Sequence, residues 1–316
     1  MRALVTGGAG FIGSHFTERA LSGFYPEISS VIVLDKLTYA GKISNMNNFI
    51  DSSNFEFYQG DICDVQLVDK LMSKIDVLVN FAAESHVDRS IDNSENFVKT
   101  NILGTNVLLH SAKKHKIRKF IQVSTDEVYG SVVIGSSNEN DLLMPNSPYS
   151  ATKASADLLA LSYFKTFDMN ISITRCSNNY GPRQDVEKFI PNSITKILEG
   201  KKIPLYGDGL NVRDWLHVAD HCDAINTVLT KGASGEIYNI GGGIDYKNLE
   251  LLEIILEFFH LSLDQIQYVK DRPGHDRRYS VNYSKITKLG YTPKVNFKDG
   301  LLETINWYKT HFNSSH

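Results

Sequence analysis

The chain has 316 residues, 42% of them hydrophobic and 22% charged, with a formal net charge of -3. That length exceeds one ordinary core and predicts two lobes, while the near-neutral balance gives no support to a nucleic-acid or membrane partner. The three cysteines, Cys63, Cys176 and Cys222, form no C-x-x-C pair, and the ten histidines form no H-E-x-x-H, so neither a disulfide framework nor a metal site is expected.

Arg2–Thr6 reads as a short buried strand that runs into Gly7-Gly8-Ala9-Gly10-Phe11-Ile12-Gly13 and then an apolar helical stretch to about Leu21. The glycines satisfy both G-x-G-x-x-G and G-x-x-G-x-x-G, a pattern that lets backbone N–H groups at a helix N-terminus meet a pyrophosphate. A second strand, Val31–Leu34, ends on Asp35, 22 residues beyond Gly13, where a carboxylate suits the ribose hydroxyls of a dinucleotide. An anion there repels a 2′-phosphate, so the expected cofactor is NAD rather than NADP. The first strand opens within two residues of Met1, leaving no room for a signal peptide, and no apolar run approaches membrane-spanning length. A cytoplasmic protein is expected.

Strand-like and helix-like segments then alternate: Phe55–Gln59, Val77–Ala82, a helix from about Glu95 to Lys114, Phe120–Val123, a helix from Tyr149, and Ile171–Thr174. This rhythm predicts an α/β fold with a Rossmann-type, doubly wound parallel sheet. Beyond Pro182 the pattern becomes irregular, which predicts a smaller C-terminal α+β lobe. The expected division is a dinucleotide-binding domain over 1–181, with strand and helix contributions from about 211–240, and a mainly substrate-binding lobe over 182–316. No repeat or linker is evident, so the lobes are expected to share strands.

Reactive groups concentrate where such sheets place their sites, beyond the carboxyl ends of strands. Ser124-Thr125-Asp126-Glu127-Val128-Tyr129-Gly130 follows the strand Phe120–Val123, and Tyr149 lies four residues before Lys153 on one helix face. A phenol titrates near 10, so it needs a neighbouring cation such as Lys153 to serve as a base near neutrality. Two adjacent carboxyls can act as acid and base together if unequal surroundings separate their pKa values.

These motifs, with Asp35 to Gly41, Asp61-Ile62, Ala82 to Ser90, Asn178-Asn179-Tyr180-Gly181-Pro182, Arg213-Asp214-Trp215-Leu216 and Asp271 to Tyr279, span nearly the whole chain. The sequence resembles the extended short-chain dehydrogenase/reductases, and within them the nucleotide-sugar 4,6-dehydratases. The resemblance implies that Tyr149 takes the proton of the sugar 4-hydroxyl as NAD oxidises C4, with Thr125 on the same oxygen and Lys153 holding Tyr149 and the nicotinamide ribose. It implies that Glu127 removes the C5 proton, Asp126 protonates the departing 6-hydroxyl, and the hydride returns at C6. NAD is implied to lie against Gly7, Gly10, Phe11, Ile12, Gly13, Asp35, Lys36, Leu37, Thr38, Asp61, Ile62, Ala82, Ala83, Thr100, Tyr149, Lys153 and Asn179. The nucleotide sugar is implied to meet Ser85, Thr125, Asn178, Lys188, Phe189, Pro204, Tyr206, Arg213, Asn248, Arg272 and His275. Relatives commonly pair through the helices near 95–114 and 149–166, which implies a homodimer.

Departures from the family pattern are local: Arg183, Asp185-Val186, Phe189, His217 and Gly243-Ile244-Asp245 are expected on the substrate side. The resemblance leans to dTDP-glucose as substrate, with UDP-glucose open because one methyl discriminates weakly. A UDP-sugar 4-epimerase or decarboxylase has no use for the full Thr125, Asp126 and Glu127 set, and a non-catalytic NAD sensor has no use for the reactive groups at all.

Overall fold

Apolar residues in adjacent positions of the first strand point to opposite faces, and both faces are covered. In the computed structural model, which describes residues 1–312, Val5 joins one hydrophobic cluster and Leu4 another. The first half of the chain runs β1 (Arg2–Thr6), α1 (Phe11–Leu21), β2 (Ser30–Asp35), β3 (Phe55–Gln59), α2 (Val65–Met72), β4 (Val77–Asn80), α3 (Val87–Asp92), α4 (Glu95–Phe97), α5 (Thr105–His115), β5 (Lys119–Thr125), α6 (Pro148–Phe167) and β6 (Ile171–Cys176). Then come β7 (Asn178–Tyr180), α7 (Phe189–Leu198), β8 (Ile203–Tyr206), β9 (Val212–His217), α8 (Val218–Lys231), β10 (Ile237–Ile240), β11 (Asp245–Lys247), α9 (Asn248–Phe258), β12 (Ile266–Val269), α10 (Ser284–Thr287) and α11 (Phe297–His311).

The main sheet has seven parallel strands in the order β10-β6-β5-β4-β1-β2-β3. Its order reverses between β1 and β4, the point at which a doubly wound sheet opens a crevice. One face packs on α1 and α8 through Phe16, Ile225 and Val228; the other packs on α2, α5 and α6 through Leu71, Leu108 and Ala160.

The region beyond Pro182 is regular rather than irregular. A three-stranded sheet β11-β9-β7 and the β12-β8 pair enclose a third core built from Tyr180, Ile194, Leu205, Trp215, Leu252, Phe297 and Leu301. Its strands are three to six residues long and broken by Pro and Gly, which hides their alternation in the sequence. The segment 211–240 is divided: α8 and β10 complete the main sheet layer, whereas β9 belongs to the small sheet.

Two further boundaries differ from expectation. β5 runs on through Ser124 and Thr125, so the reactive hydroxyl is strand-borne rather than on the loop after it. The stretch Glu95–His115 is not one α-helix, because Val98–Gly104 forms a π-turn. The wide turn brings Asn101 inward, where its amide donates to Thr152 Oγ1 at 2.9 Å and to the Glu84 carbonyl at 3.1 Å and accepts from Glu84 N–H at 2.9 Å. It also sets Gly104 against Ile62, where a Cβ would lie 2.4 Å from Ile62 Cδ1.

Candidate active site

One deep cleft lies beyond the carboxyl ends of β1, β2, β4, β5 and β6. Its floor is the glycine turn. Gly7 has φ of 69°, and a side chain on it would strike Ala82 N at 2.8 Å; a Cβ on Gly13 would lie 2.3 Å from Gly7 O. Helix α1 starts at Gly10 with no side-chain cap and no acid in its first turn, so its N–H groups and positive dipole end face the cleft. Asp35, at the end of β2, accepts from Ala9 N–H at 2.9 Å and Leu37 N–H at 2.8 Å, which fixes the carboxylate at the rim. These residues leave close backbone, free N–H donors and a fixed carboxylate on one wall of the cleft. Gly13→Ala is expected to destabilise the fold by about 1–3 kcal/mol or more through overpacking, read as a lowered Tm.

The cleft brings together Gly7, Gly10, Phe11, Ile12, Gly13, Asp35, Lys36, Thr38, Asp61, Ile62, Ala82, Ala83, Thr100 and Asn179 with Thr125, Asp126, Glu127, Tyr149 and Lys153. Ser85, Asn178 and Lys188 line it too. Leu37 does not; it turns away with φ of 55°. Leu34, Phe81, Glu84, Val123, Ser124, Cys176, Ser177, Gln184 and Asp185 also line the cleft. Several of them are strand ends or the next residue, so the rule that placed Ser124 and Glu127 could have found them.

Asp126 and Glu127 occupy unlike surroundings. Asp126 is buried, its Oδ2 has no hydrogen-bond partner among the described residues, and its carboxyl is pushed well above the usual range by burial, then by the charges of Glu127 and Asp214. Arg213 and a hydrogen bond from Thr125 Oγ1 at 3.3 Å oppose that rise without cancelling it. Glu127 is half-buried and accepts from Ser150 Oγ at 3.2 Å. Burial therefore favours the protonated form of one carboxyl beside another that opens on the cleft.

Tyr149 and Lys153 share the buried face of α6, which begins with Ser147 accepting the Ser150 N–H and Pro148 at its first position. The expectation that Lys153 moves the phenol toward neutrality is not met. Burial, Glu127, Cys176 and Asp126 drive the Tyr149 pKa well up, opposed by the Thr125 hydroxyl. Lys153 Nζ instead donates to the Val123 carbonyl at 2.6 Å.

The remaining predicted substrate residues lie outside the deep cleft. Arg213 is buried on β9 and donates to the Asp276 carbonyl at 2.9 Å, with its guanidinium 4.3 Å from the Tyr279 ring centroid. Glu127 acts electrostatically on Arg213, and Arg272 acts on both Arg213 and Lys188, so a cationic group adjoins the acid pair. Arg272 reaches Asp88 at 3.5 Å, His275 bonds Asp271 at 2.7 Å, and Tyr206 lies edge-on to His275 with centroids 6.4 Å apart. Phe189 stacks on Trp215 at 6.4 Å, Pro204 is half-buried within β8, and Asn248 starts α9 with its N–H on the Asn211 carbonyl at 3.0 Å.

A strap crosses the cleft mouth. Lys188 Nζ donates to the Ser85 carbonyl at 2.6 Å, Glu187 pairs with Arg89 at 2.5 Å, and Gln184 donates to the Asn179 carbonyl at 2.8 Å. At the other end Arg183, with φ of 68°, pairs with Glu18 and donates to the Asn45 carbonyl and His15 Nδ1, each at 2.9 Å. Arg183 thus reaches α1 on the dinucleotide side, not the substrate side expected from the sequence. His217 is likewise structural, accepting the Ala219 N–H at 3.3 Å where α8 begins.

The sequence family described as GDP-mannose 4,6 dehydratase matches residues 4–304. The chain belongs to this family. It is 52% identical over 313 residues to a dTDP-glucose 4,6-dehydratase of Actinoplanes sp., covering 98% of each chain. It is also similar to the crystal structure of a dTDP-glucose 4,6-dehydratase from Streptomyces venezuelae with NAD and TYD bound, with a TM-score of 0.98, 48% identity, and coverage of 99% of this chain and 98% of that one. A UDP-glucuronic acid 4-epimerase from Bacillus cereus shares the fold at a TM-score of 0.92 but only 32% identity, over 98% of this chain and 99% of that one. The extended short-chain dehydrogenase/reductase resemblance read from the motifs thus stands, as does the Rossmann-type sheet.

Proposed function

We propose that the chain is an NAD-dependent dTDP-glucose 4,6-dehydratase, a hydro-lyase that forms dTDP-4-keto-6-deoxyglucose. The observation that carries this reading is the convergence of Thr125, Asp126 and Glu127 with Tyr149 and Lys153 in one cleft, with the adjacent carboxyls in unlike surroundings. NAD fits the uncapped start of α1, the glycine cradle and Asp35, and when bound it supplies a hydride acceptor at C4 and, reduced, a hydride donor at C6.

The side chains manage the protons. Thr125 and Tyr149 hydrogen-bond the 4-hydroxyl oxygen; Tyr149 takes its proton only in the ionised form, which burial and the Glu127 charge oppose here and which a neighbouring cation must favour for the step to run. The resulting ketone acidifies C5–H; Glu127, open to the cleft, removes that proton. Asp126, whose protonated form burial favours, delivers its proton to the 6-hydroxyl, which leaves as water. Glu127 then returns a proton to C5. Lys188, Arg213 and Arg272 provide the charge for a diphosphate, with Ser85 and Asn178 on the sugar and Phe189, Pro204, Tyr206, Asn248 and His275 toward the nucleotide.

Val98, Leu103 and Leu158 are about half exposed on the segment 98–104 and on α6, at 48%, 50% and 58%, which supports a homodimer formed through these helices. Among the described residues no helix is long and apolar enough to cross a membrane, and the three cysteines are unpaired; both accord with a cytoplasmic enzyme.

Isotope transfer tests the reading. dTDP-glucose deuterated at C4 is expected to give product deuterated at C6, and turnover in heavy water is expected to place deuterium at C5, both read by mass and NMR. A product that keeps the label at C4 would mark an epimerase and sink the proposal.

A further inference from the structure

Asp126 and Glu127 sit on a single 3₁₀ turn, Asp126–Tyr129, and line the cleft; Tyr129, the last residue of the same turn, does not. Its side chain is buried and its hydroxyl is held twice. Arg175 Nη1 donates to Tyr129 Oη at 2.9 Å, and Tyr129 Oη donates to Asn239 Oδ1 at 2.8 Å. The directions follow from the groups. A guanidinium only donates, so the phenol oxygen accepts from Arg175 and its proton goes to Asn239, whose amide nitrogen is engaged with the Ser137 carbonyl at 3.0 Å. Arg175 on β6 and Asn239 on β10 are partners in the parallel register, so two adjacent strands grip one hydroxyl.

The grip extends to α6. Arg175 Nε donates to Asp157 Oδ2 at 2.9 Å, and Asp157 lies about two turns beyond Tyr149 on that helix. Tyr129, Arg175 and Asp157 thus form an unbroken strut from the turn that carries the acid pair to the helix that carries Tyr149 and Lys153. By contrast, the acid pair's own side-chain bonds are long, 3.3 Å between Thr125 Oγ1 and Asp126 and 3.2 Å between Ser150 Oγ and Glu127. A buried ion pair is rarely a net gain in stability over apolar packing, so the strut calls for a use beyond cohesion.

We propose that Tyr129 is a positioning residue for the elimination half of the reaction, its doubly held hydroxyl fixing the turn on which Asp126 and Glu127 reach the sugar. The proposal rests on the dehydratase reading. It separates the two half-reactions, because Thr125 and Tyr149 do not depend on the turn: Thr125 is strand-borne and paired with Cys176, and Tyr149 is set by α6. Losing the Tyr129 hydroxyl therefore slows proton transfer at C5 and C6 and spares oxidation at C4. A misplacement of about 1 Å can cost about 10²-fold.

Tyr129→Phe removes the two bonds and keeps the ring that packs with Val128, Ala154 and Val281. In a single turnover of dTDP-glucose followed by NADH absorbance, NADH is expected to form within about twofold of the wild-type rate and to decay at least about 10-fold more slowly. Val281→Ala loosens the same apolar cluster but leaves both bonds, and is expected to lower Tm without slowing the decay. Arg175→Lys keeps a charge for Asp157 but lacks the fork that also reaches the phenol; it is expected to slow the decay in the same way and carries the test if Tyr129→Phe does not fold. Decay at the wild-type rate in folded Tyr129→Phe, or in Arg175→Lys should the former not fold, overturns the proposal. So does an equal loss of formation and decay, or a slowing in Val281→Ala that matches Tyr129→Phe. Wild type that eliminates no water from dTDP-glucose would sink the functional reading and this inference with it, whereas wild type that dehydrates beside an equally fast Tyr129→Phe sinks the inference alone.

Discussion

Tyr149→Phe is expected to lower kcat for dTDP-glucose by roughly 10²–10⁴-fold while leaving NAD binding nearly intact. The phenyl ring keeps the packing of Tyr149 against Phe97, whose centroid lies 6.4 Å away, and removes only the hydroxyl that handles the 4-hydroxyl proton. The measurement is a single-turnover assay at 340 nm: wild type shows transient reduction of NAD, and the variant is expected to show none. Transient reduction at the wild-type rate in Tyr149→Phe would remove the phenol from the chemistry.

Asp126→Asn separates catalysis from stability, and the two move in opposite directions. Elimination loses its acid, so turnover is expected to fall by roughly 10²-fold or more while C4 oxidation continues and enzyme-bound NADH accumulates. The fold is expected to gain stability. Burial and the Glu127 and Asp214 charges raise the Asp126 pKa above its unfolded value. The folded state therefore binds more protons than the unfolded chain, and stability is lost as pH rises from the unfolded value, near 4, toward the raised one. Each pKa unit of that rise costs about 1.4 kcal/mol at neutral pH, and a neutral amide removes the cost. A higher Tm at pH 7, with the gain shrinking near pH 4, is the predicted signature. A Tm gain that ignores pH would contradict it.

Much of this was legible because the relevant signals are local. Strand, glycine turn and helix follow one another within residues 2–21, and the carboxylate of Asp35 closes the next strand, so the cradle could be read without any long-range pairing. Thr125 to Glu127 and the Tyr149/Lys153 pair were readable for the same reason. What was not legible depends on tertiary contact. Nothing in the spacing of Lys153 says that its ammonium finds the Val123 carbonyl, or that burial and the neighbouring Glu127, Cys176 and Asp126 push the phenol of Tyr149 up rather than down. Arg183 looked like a substrate-side departure because its partners, Glu18 and His15, lie more than 160 residues earlier on α1. The small lobe was obscured by strand length: β7 and β11 have three residues each, too few to display a period.

The strap over residues 183–188 has an effect on how the enzyme would live with its surroundings. Fastened to α1 by Arg183 and Glu18, to α3 by Glu187 and Arg89 and to the loop after β4 by Lys188, it borders the groove in which the proposed dinucleotide lies. A nucleotide kept behind such a border is reduced and reoxidised without visiting the solvent, so the rate becomes indifferent to the ratio of oxidised to reduced nicotinamide in the cell. The same enclosure carries a liability. If the keto intermediate escapes before the second half-reaction, the molecule is left in its reduced form, and each such accident retires one active site until the nucleotide is exchanged or reoxidised.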